Sequence, residues 1–260
     1  VVGSNVRKDH PLFAQRIRQA QRKGGVVSSV NSVQPDWAMP VANSLVACAS
    51  EWLRALAEIA AAVARTNEVS APVSDIEPSA VSSDIAKALL RGENKAILLG
   101  NAAAHHSQAS KLLALCNWIG EQTGASVGYL TEAANTVGAQ WVNALPDAGT
   151  LHAGQMLSGA LKGVLLLNTE PVWDSAAGAG AVGALAGADM VVTLSPFKTN
   201  MDFSDVLLPI APFTETSGSF VNAEARLQSF HAVVRPLGET RPGWKVLRVL
   251  GNLLGLPGFA

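Results

Sequence analysis

The stretch Gly187–Phe230, GADMVVTLSPFKTNMDFSDVLLPIAPFTETSGSFVNAEARLQSF, decides the fold. It opens on Met190-Val191-Val192-Thr193-Leu194, an unbroken β-branched and apolar run suited to a parallel strand covered on both faces. Ser195-Pro196 ends that run, because proline has no ladder donor and holds the residue before it in extended geometry. A polar loop leads to the short run Val206-Leu207-Leu208, closed by Pro209. Beyond Ser217-Gly218, Phe220-Val221 and Leu227–Phe230 flank Asn222-Ala223-Glu224-Ala225-Arg226, which predicts a strand, a tight connection and a returning strand.

Upstream, the same alternation repeats. Lys95–Gly100, Ala125–Leu130 and Gly163–Leu167 read as strands, separated by helices over Ser107–Thr123, His152–Leu161 and Ala176–Ala186. Near the start, Val1–Val6 reads as a strand and Pro11 opens a helix that Gly24-Gly25 closes before a strand over Val26–Val30. Ala42–Arg65 is alanine-rich and reads as one helix. Residues 66–84 lose helical periodicity and read as a linker, with Ser82-Ser83-Asp84 placed to cap a helix over Ile85–Arg91. Gly243–Leu254 reads as a final helix. Strand, helix and strand in succession predict an α/β fold with a doubly wound, mostly parallel sheet, followed by a C-terminal β-hairpin and helix. The expected divisions are a first α/β half over 1–65, the linker over 66–84, a second α/β half over 85–212, and the hairpin and helix over 213–260.

Composition narrows the function. The 260 residues are 48% hydrophobic and 15% charged, a balance that suits a packed core and not a disordered chain. A net charge of −1 and 5% aromatics give no electrostatic or stacking case for a nucleic-acid partner. The longest helical candidate, Leu45–Ala64, carries Glu51, Arg54 and Glu58, which argues against direct membrane insertion. Two cysteines, Cys48 and Cys116, are too few for an iron–sulfur cluster, which takes four ligands, and are expected to be small buried apolar groups. The chain begins at Val1-Val2-Gly3 without an initiator methionine and reads as part of something longer.

Gly178-Ala179-Gly180-Ala181-Val182-Gly183 matches G-x-G-x-x-G, but a dinucleotide fingerprint needs its first glycine in the turn directly after a strand. Here Pro171 and Trp173 intervene, and no acidic residue follows the next strand, so small residues for close helix–sheet packing are the simpler reading. His105 and His106 are adjacent and point apart on a helix, so they are expected to serve helix geometry and hydrogen bonding, not a shared metal. Glu215-Thr216-Ser217-Gly218 either orients a ligand or forms a turn bonded to its own backbone. In open α/β sheets ligands gather at strand carboxyl ends. Three such ends carry polar residues: Asn101; Asn168 with Glu170; and the segment after Leu194 with Thr199 and Asp205. Their bland role is to cap helices and satisfy loop backbone.

The order of residues resembles the molybdopterin oxidoreductase superfamily, most closely the large iron–sulfur subunit of respiratory NADH:quinone oxidoreductase, complex I. The resemblance is carried by Ala188-Asp189, Asp205–Pro209, Glu215–Phe220 and Asn222–Gln228, with support from Leu99–Ala102 and Asn168–Pro171. It covers most of the chain from about Asn94 onward. Glycine is usual in the family where Ala225 stands here; if that position needs a positive φ, alanine costs roughly 1 kcal/mol. The resemblance implies that corresponding loops in molybdopterin enzymes hold a pterin dinucleotide, making Asn101, Asn168, Glu170, Thr199 and Asp205 the residues to try first. In the complex I branch it implies that molybdenum cofactor binding has been lost. No cofactor is then expected in this stretch, with iron–sulfur clusters in a cysteine-bearing N-terminal region absent from it. The implied partners are other peripheral-arm subunits of complex I, and the implied location is the cytoplasmic side of a bacterial inner membrane, peripheral through those partners. The other reading is a fragment of an active molybdopterin-dependent oxidoreductase.

Overall fold

A computed structural model describes residues 1–159 and 161–259. The chain divides into two compact units, Val1–Thr136 and Val137–Ala260.

In the first unit, α1 (Val6–Asp9) and α2 (Pro11–Arg22) precede β1 (Ser28–Asn31) and β2 (Asn43–Val46), followed by α3 (Trp52–Asn67) and α4 (Ala80–Arg91). Then come β3 (Ala96–Leu99), α5 (Asn101–Ala104), α6 (Ala109–Thr123) and β4 (Ser126–Tyr129). β1 pairs with β2 and β3 with β4, all parallel. Val2 bridges Val30 on one side and Leu99 on the other, so the order across the sheet is β2, β1, Val2, β3, β4. The N-terminal strand expected over Val1–Val6 is therefore cut to a bridge, because Gly3 turns to φ +61° and Val6 already starts α1.

The core of this unit lies where α3 packs on α4 and α6. Trp52, Leu56, Ile59 and Val63 recur at helical spacing along α3 and meet Ile85 of α4 and Leu112, Cys116 and Ile119 of α6. Full burial of such side chains contributes about 1.5–3 kcal/mol each. α3 ends at Glu68 in left-handed geometry, and α6 at Gly124 with φ +75°, whose N–H bonds Gly120 O at 2.7 Å. The expected helix over Ala42–Arg65 splits, since Asn43–Val46 pairs with β1 as an outer strand. The cap of α4 is Ser79, whose hydroxyl accepts from Ser82 N–H at 3.2 Å, so the helix begins at Ala80. Ser82 instead lies fully buried and donates its hydroxyl to Glu58 at 3.0 Å.

α7 (Thr136–Trp141) follows β4, and the second unit then holds α8 (Ala153–Met156), β5 (Gly163–Leu167), α9 (Pro171–Asp174), α10 (Gly180–Ala186), β6 (Met190–Ser195) and β7 (Val206–Ala211). β8 (Gly218–Val221), β9 (Leu227–Phe230), β10 (Arg241–Pro242) and α11 (Gly243–Leu253) complete it. The sheet order is β5, β6, β7, β10, all parallel, and β8–β9 form an antiparallel hairpin. Val191, Thr193 and Leu194 of β6 are buried, as its apolar run predicts. Pro209 does not end β7: it aligns with Ser195, the last residue of β6, so its missing N–H falls where that ladder stops. Ile210 and Ala211 then pair with Arg241 and Pro242 on the other side. The helix expected over His152–Leu161 is confined to Ala153–Met156, capped by a reciprocal His152–Gln155 box; Ala160 lies outside the described residues. The architecture is the doubly wound, mostly parallel α/β fold with terminal hairpin and helix that the strand pattern predicts.

Candidate functional site

At the carboxyl edge of the second sheet, Asn168 leaves β5 in left-handed geometry (φ 49°) while its N–H still bonds Leu194 O at 2.8 Å. Asparagine tolerates this conformation, which turns the chain sharply off the strand. Pro171 opens α9 one residue after Glu170. The last residue of α9, Asp174, reaches back: its carboxylate accepts the Glu170 N–H at 2.7 Å and the Thr169 hydroxyl at 3.2 Å. After β6, Asn200 also takes left-handed geometry (φ 58°) and donates its amide to Thr169 O at 3.0 Å, pinning the two turns together. Asn168, Glu170 and Thr199 thus gather on neighbouring turns at one sheet edge, with side chains that bond no other described residue. Trp173 (82% exposed) and Phe197 (67%) stand on the same turns.

Asp205 is not with them. It precedes β7 at the amino edge of the strands, where its carboxylate accepts the Val191 N–H at 2.7 Å and its own N–H bonds Val191 O at 2.9 Å. Asn101 belongs to the first unit, as the first residue of α5 after β3. There Gly3 and Gly100 cross so closely that a Cβ on Gly100 would sit 2.1 Å from Ser4 Cβ. Asn31, buried at the end of β1, donates to Ser4 O at 3.2 Å. The Asn101 Oδ1 is buried and finds no partner among the described residues.

Residues beyond the expected set complete these edges. Asp174 and Asn200 were legible only as a carboxylate four positions after Glu170 and an asparagine inside a loop. His105 Nε2 pairs with Glu132 at 2.8 Å. His106 accepts the Gln108 N–H at Nδ1, faces Ala49 O at 2.9 Å through Nε2, and stacks on Trp52 at 6.0 Å. The two rings diverge, and no group of three or more potential metal ligands occurs among the described residues. Glu215 accepts the Leu237 N–H at 3.0 Å, and the Thr216 hydroxyl donates to Pro212 O at 2.9 Å, so this turn bonds backbone. The close-packing reading of Gly178, Gly180 and Gly183 fails: a Cβ at any of them would meet nothing within 4 Å, and only Gly178 needs its positive φ of 53°. Cys116 is buried as expected, whereas Cys48 is exposed.

Helices flanking a parallel sheet, with polar turns at the carboxyl edges of its strands, define a doubly wound α/β protein. Residues 1–253 match the molybdopterin oxidoreductase family, and the chain belongs to it. A protein named as a formate dehydrogenase in Staphylococcus aureus (strain bovine RF122 / ET3-1) is 38% identical over 73 residues, 28% of this chain. Another so named in S. aureus strain USA300 is 37% identical over 68 residues, 26% of this chain. The aligned stretch spans only 7% of either relative. Among solved structures, the formyltransferase/hydrolase complex of Methylorubrum extorquens with methylofuran shares the fold. It aligns with a TM-score of 0.63 over 97% of this chain and 73% of the other, at 15% identity. Among the described residues, no helix is long and apolar enough to cross a membrane.

Proposed function

We propose that this chain is a non-catalytic structural module of the large subunit of an NADH:quinone oxidoreductase, supporting its iron–sulfur electron-transfer arm, with molybdenum cofactor binding lost. The observation that carries this is the Asp174 carboxylate on the Glu170 N–H. In a doubly wound fold, the amides that open the helix after a strand are where a pyrophosphate is held. At α9, Pro171 supplies no such donor and the chain's own carboxylate takes the N–H of Glu170. The turns after β5 and β6 carry Glu170, Asp174 and Asp202 against one base, Lys198, a balance that repels a pyrophosphate. These residues do not fit a pterin dinucleotide. Exposed Trp173 and Phe197 suit contact with another protein surface, the role the peripheral-arm partners would fill.

A second reading, a fragment of an active molybdopterin-dependent oxidoreductase, draws on the buried, unpartnered Oδ1 of Asn101 and on the relatives named as formate dehydrogenases. A donor on a bound pterin or nucleotide would satisfy that oxygen. Metal analysis of the purified parent protein, with pterin fluorescence after denaturation, separates the two. The structural reading expects neither molybdenum nor pterin together with co-purification of NADH-oxidising subunits; one pterin per chain would replace it with the second.

A further inference from the structure

The second unit carries a trough of about 420 Å³ whose lining includes Arg235, Arg241 and Lys245 with a single carboxylate, Glu215. That carboxylate already accepts the Leu237 N–H. Arg241 reaches Glu239 at 3.6 Å, while neither Arg235 nor Lys245 has a carboxylate partner among the described residues. The segments that supply this lining also carry exposed apolar side chains: Phe213 at 84%, Val233 at 84% and Leu237 at 78%. They are held in place, since Val233 N–H bonds Thr214 O at 2.8 Å and so ties the 232–237 segment to the Phe213–Glu215 turn.

Small-molecule sites are apolar hollows with a few precisely placed polar groups, whereas three bases and one carboxylate converge on the lining of this trough. Arginines among exposed aromatic and aliphatic groups are the makeup of a protein interface, and a guanidinium fork matches carboxylates. We infer that this trough docks an acidic segment of a partner polypeptide, its carboxylates on Arg235 and Lys245 and an apolar side chain against Val233 and Leu237. The inference rests on the reading of the chain as a module within a larger assembly.

The test uses the full-length parent protein in its native host, with a photo-crosslinking residue at position 233 and the charge reversals Arg235→Glu and Lys245→Glu. Expected is a crosslink to an Asp/Glu-rich peptide of a co-purifying subunit, reduced about tenfold or more by the double reversal. Yield from the unreversed protein should also fall several-fold between low salt and about 0.5 M, as exposed charge pairs do. That salt series decides the matter even where the double variant fails to fold. No crosslink within an intact assembly, a crosslinked peptide without carboxylates, or a yield indifferent to salt would each overturn the proposal and leave the assembly reading standing. If NADH-oxidising subunits do not co-purify at all, the assembly reading itself falls.

Discussion

Asp205 and Val191 hold each other by two bonds: the Asp205 N–H donates to Val191 O at 2.9 Å, and its carboxylate accepts the Val191 N–H at 2.7 Å. Val191 is 1% exposed, so its N–H has no water to fall back on. Asp205→Ala is expected to cost about 1–3 kcal/mol, the penalty of a buried donor left unmade. Asp205→Asn keeps an acceptor and should lose distinctly less. Urea unfolding of both variants checks this; equal losses would show that the side-chain bond contributes nothing specific.

Ala225 sits at φ 60° in the β8–β9 turn, where Asn222 Oδ1 accepts the N–H groups of Glu224 and Arg226 at 3.0 and 2.9 Å. The positive φ expected from the family's glycine is thus present with an alanine in it. Ala225→Gly should stabilise the protein by roughly 1 kcal/mol, the left-handed penalty that glycine avoids. Thermal unfolding should then shift upward by about 2–4 °C. A downward shift would mean that the added freedom of glycine in the unfolded chain outweighs the relieved strain.

What the sequence made legible follows from how each element is held. β5 and β6 are read almost to the residue because β-branched and leucine runs have no competing helical spacing. β2 was hidden: Asn43–Val46 is a half-exposed outer strand with two aliphatic residues, running into alanine-rich sequence. Val1–Val6 failed as a strand through Gly3, whose positive φ has no marker beyond the glycine itself. At the candidate site, the strand-end pattern points to Asn168, Glu170 and Thr199, and the structure has these three on neighbouring turns of one sheet edge. Asp205 was misplaced because the loop after β6 returns to the amino edge, a path that loop composition does not encode. The Asp174 bond to Glu170 needs the exact turn geometry of α9, so it could emerge only from the structure.

Burial pushes the Cys116 thiol up to about 12, while Cys48 is exposed. Thiolate is the reactive form, so Cys116 should be inert in the native protein. Ellman's reagent at pH 8, applied to these 260 residues alone, should titrate one thiol before unfolding and two after it in denaturant. Cys48→Ser should abolish the native reaction. Fast labelling of Cys116 would mean that the α3–α6 core opens readily.

Glu58 joins α3 to the start of α4: it accepts the Ser79 N–H at 3.2 Å and the Ser82 hydroxyl at 3.0 Å, with Arg54 at 3.5 Å. Burial pushes its carboxyl up, but the hydrogen bonds from Ser79 and Ser82 and the charge of Arg54 outweigh it and hold the group below the ordinary value of 4.5. A carboxylate depressed in the folded state stabilises it above the unfolded pKa, and that contribution fades as pH falls through the folded value. Stability from Glu58 is therefore fully present at neutral pH and lost in the acid range below 4.5. In Glu58→Gln no proton is taken up at this position, so its urea midpoint should lie below that of the unmodified chain at pH 7, with the gap closing as pH drops toward 3. Midpoints that fall in parallel over that range would show that the α3–α4 junction does not depend on the charge of Glu58.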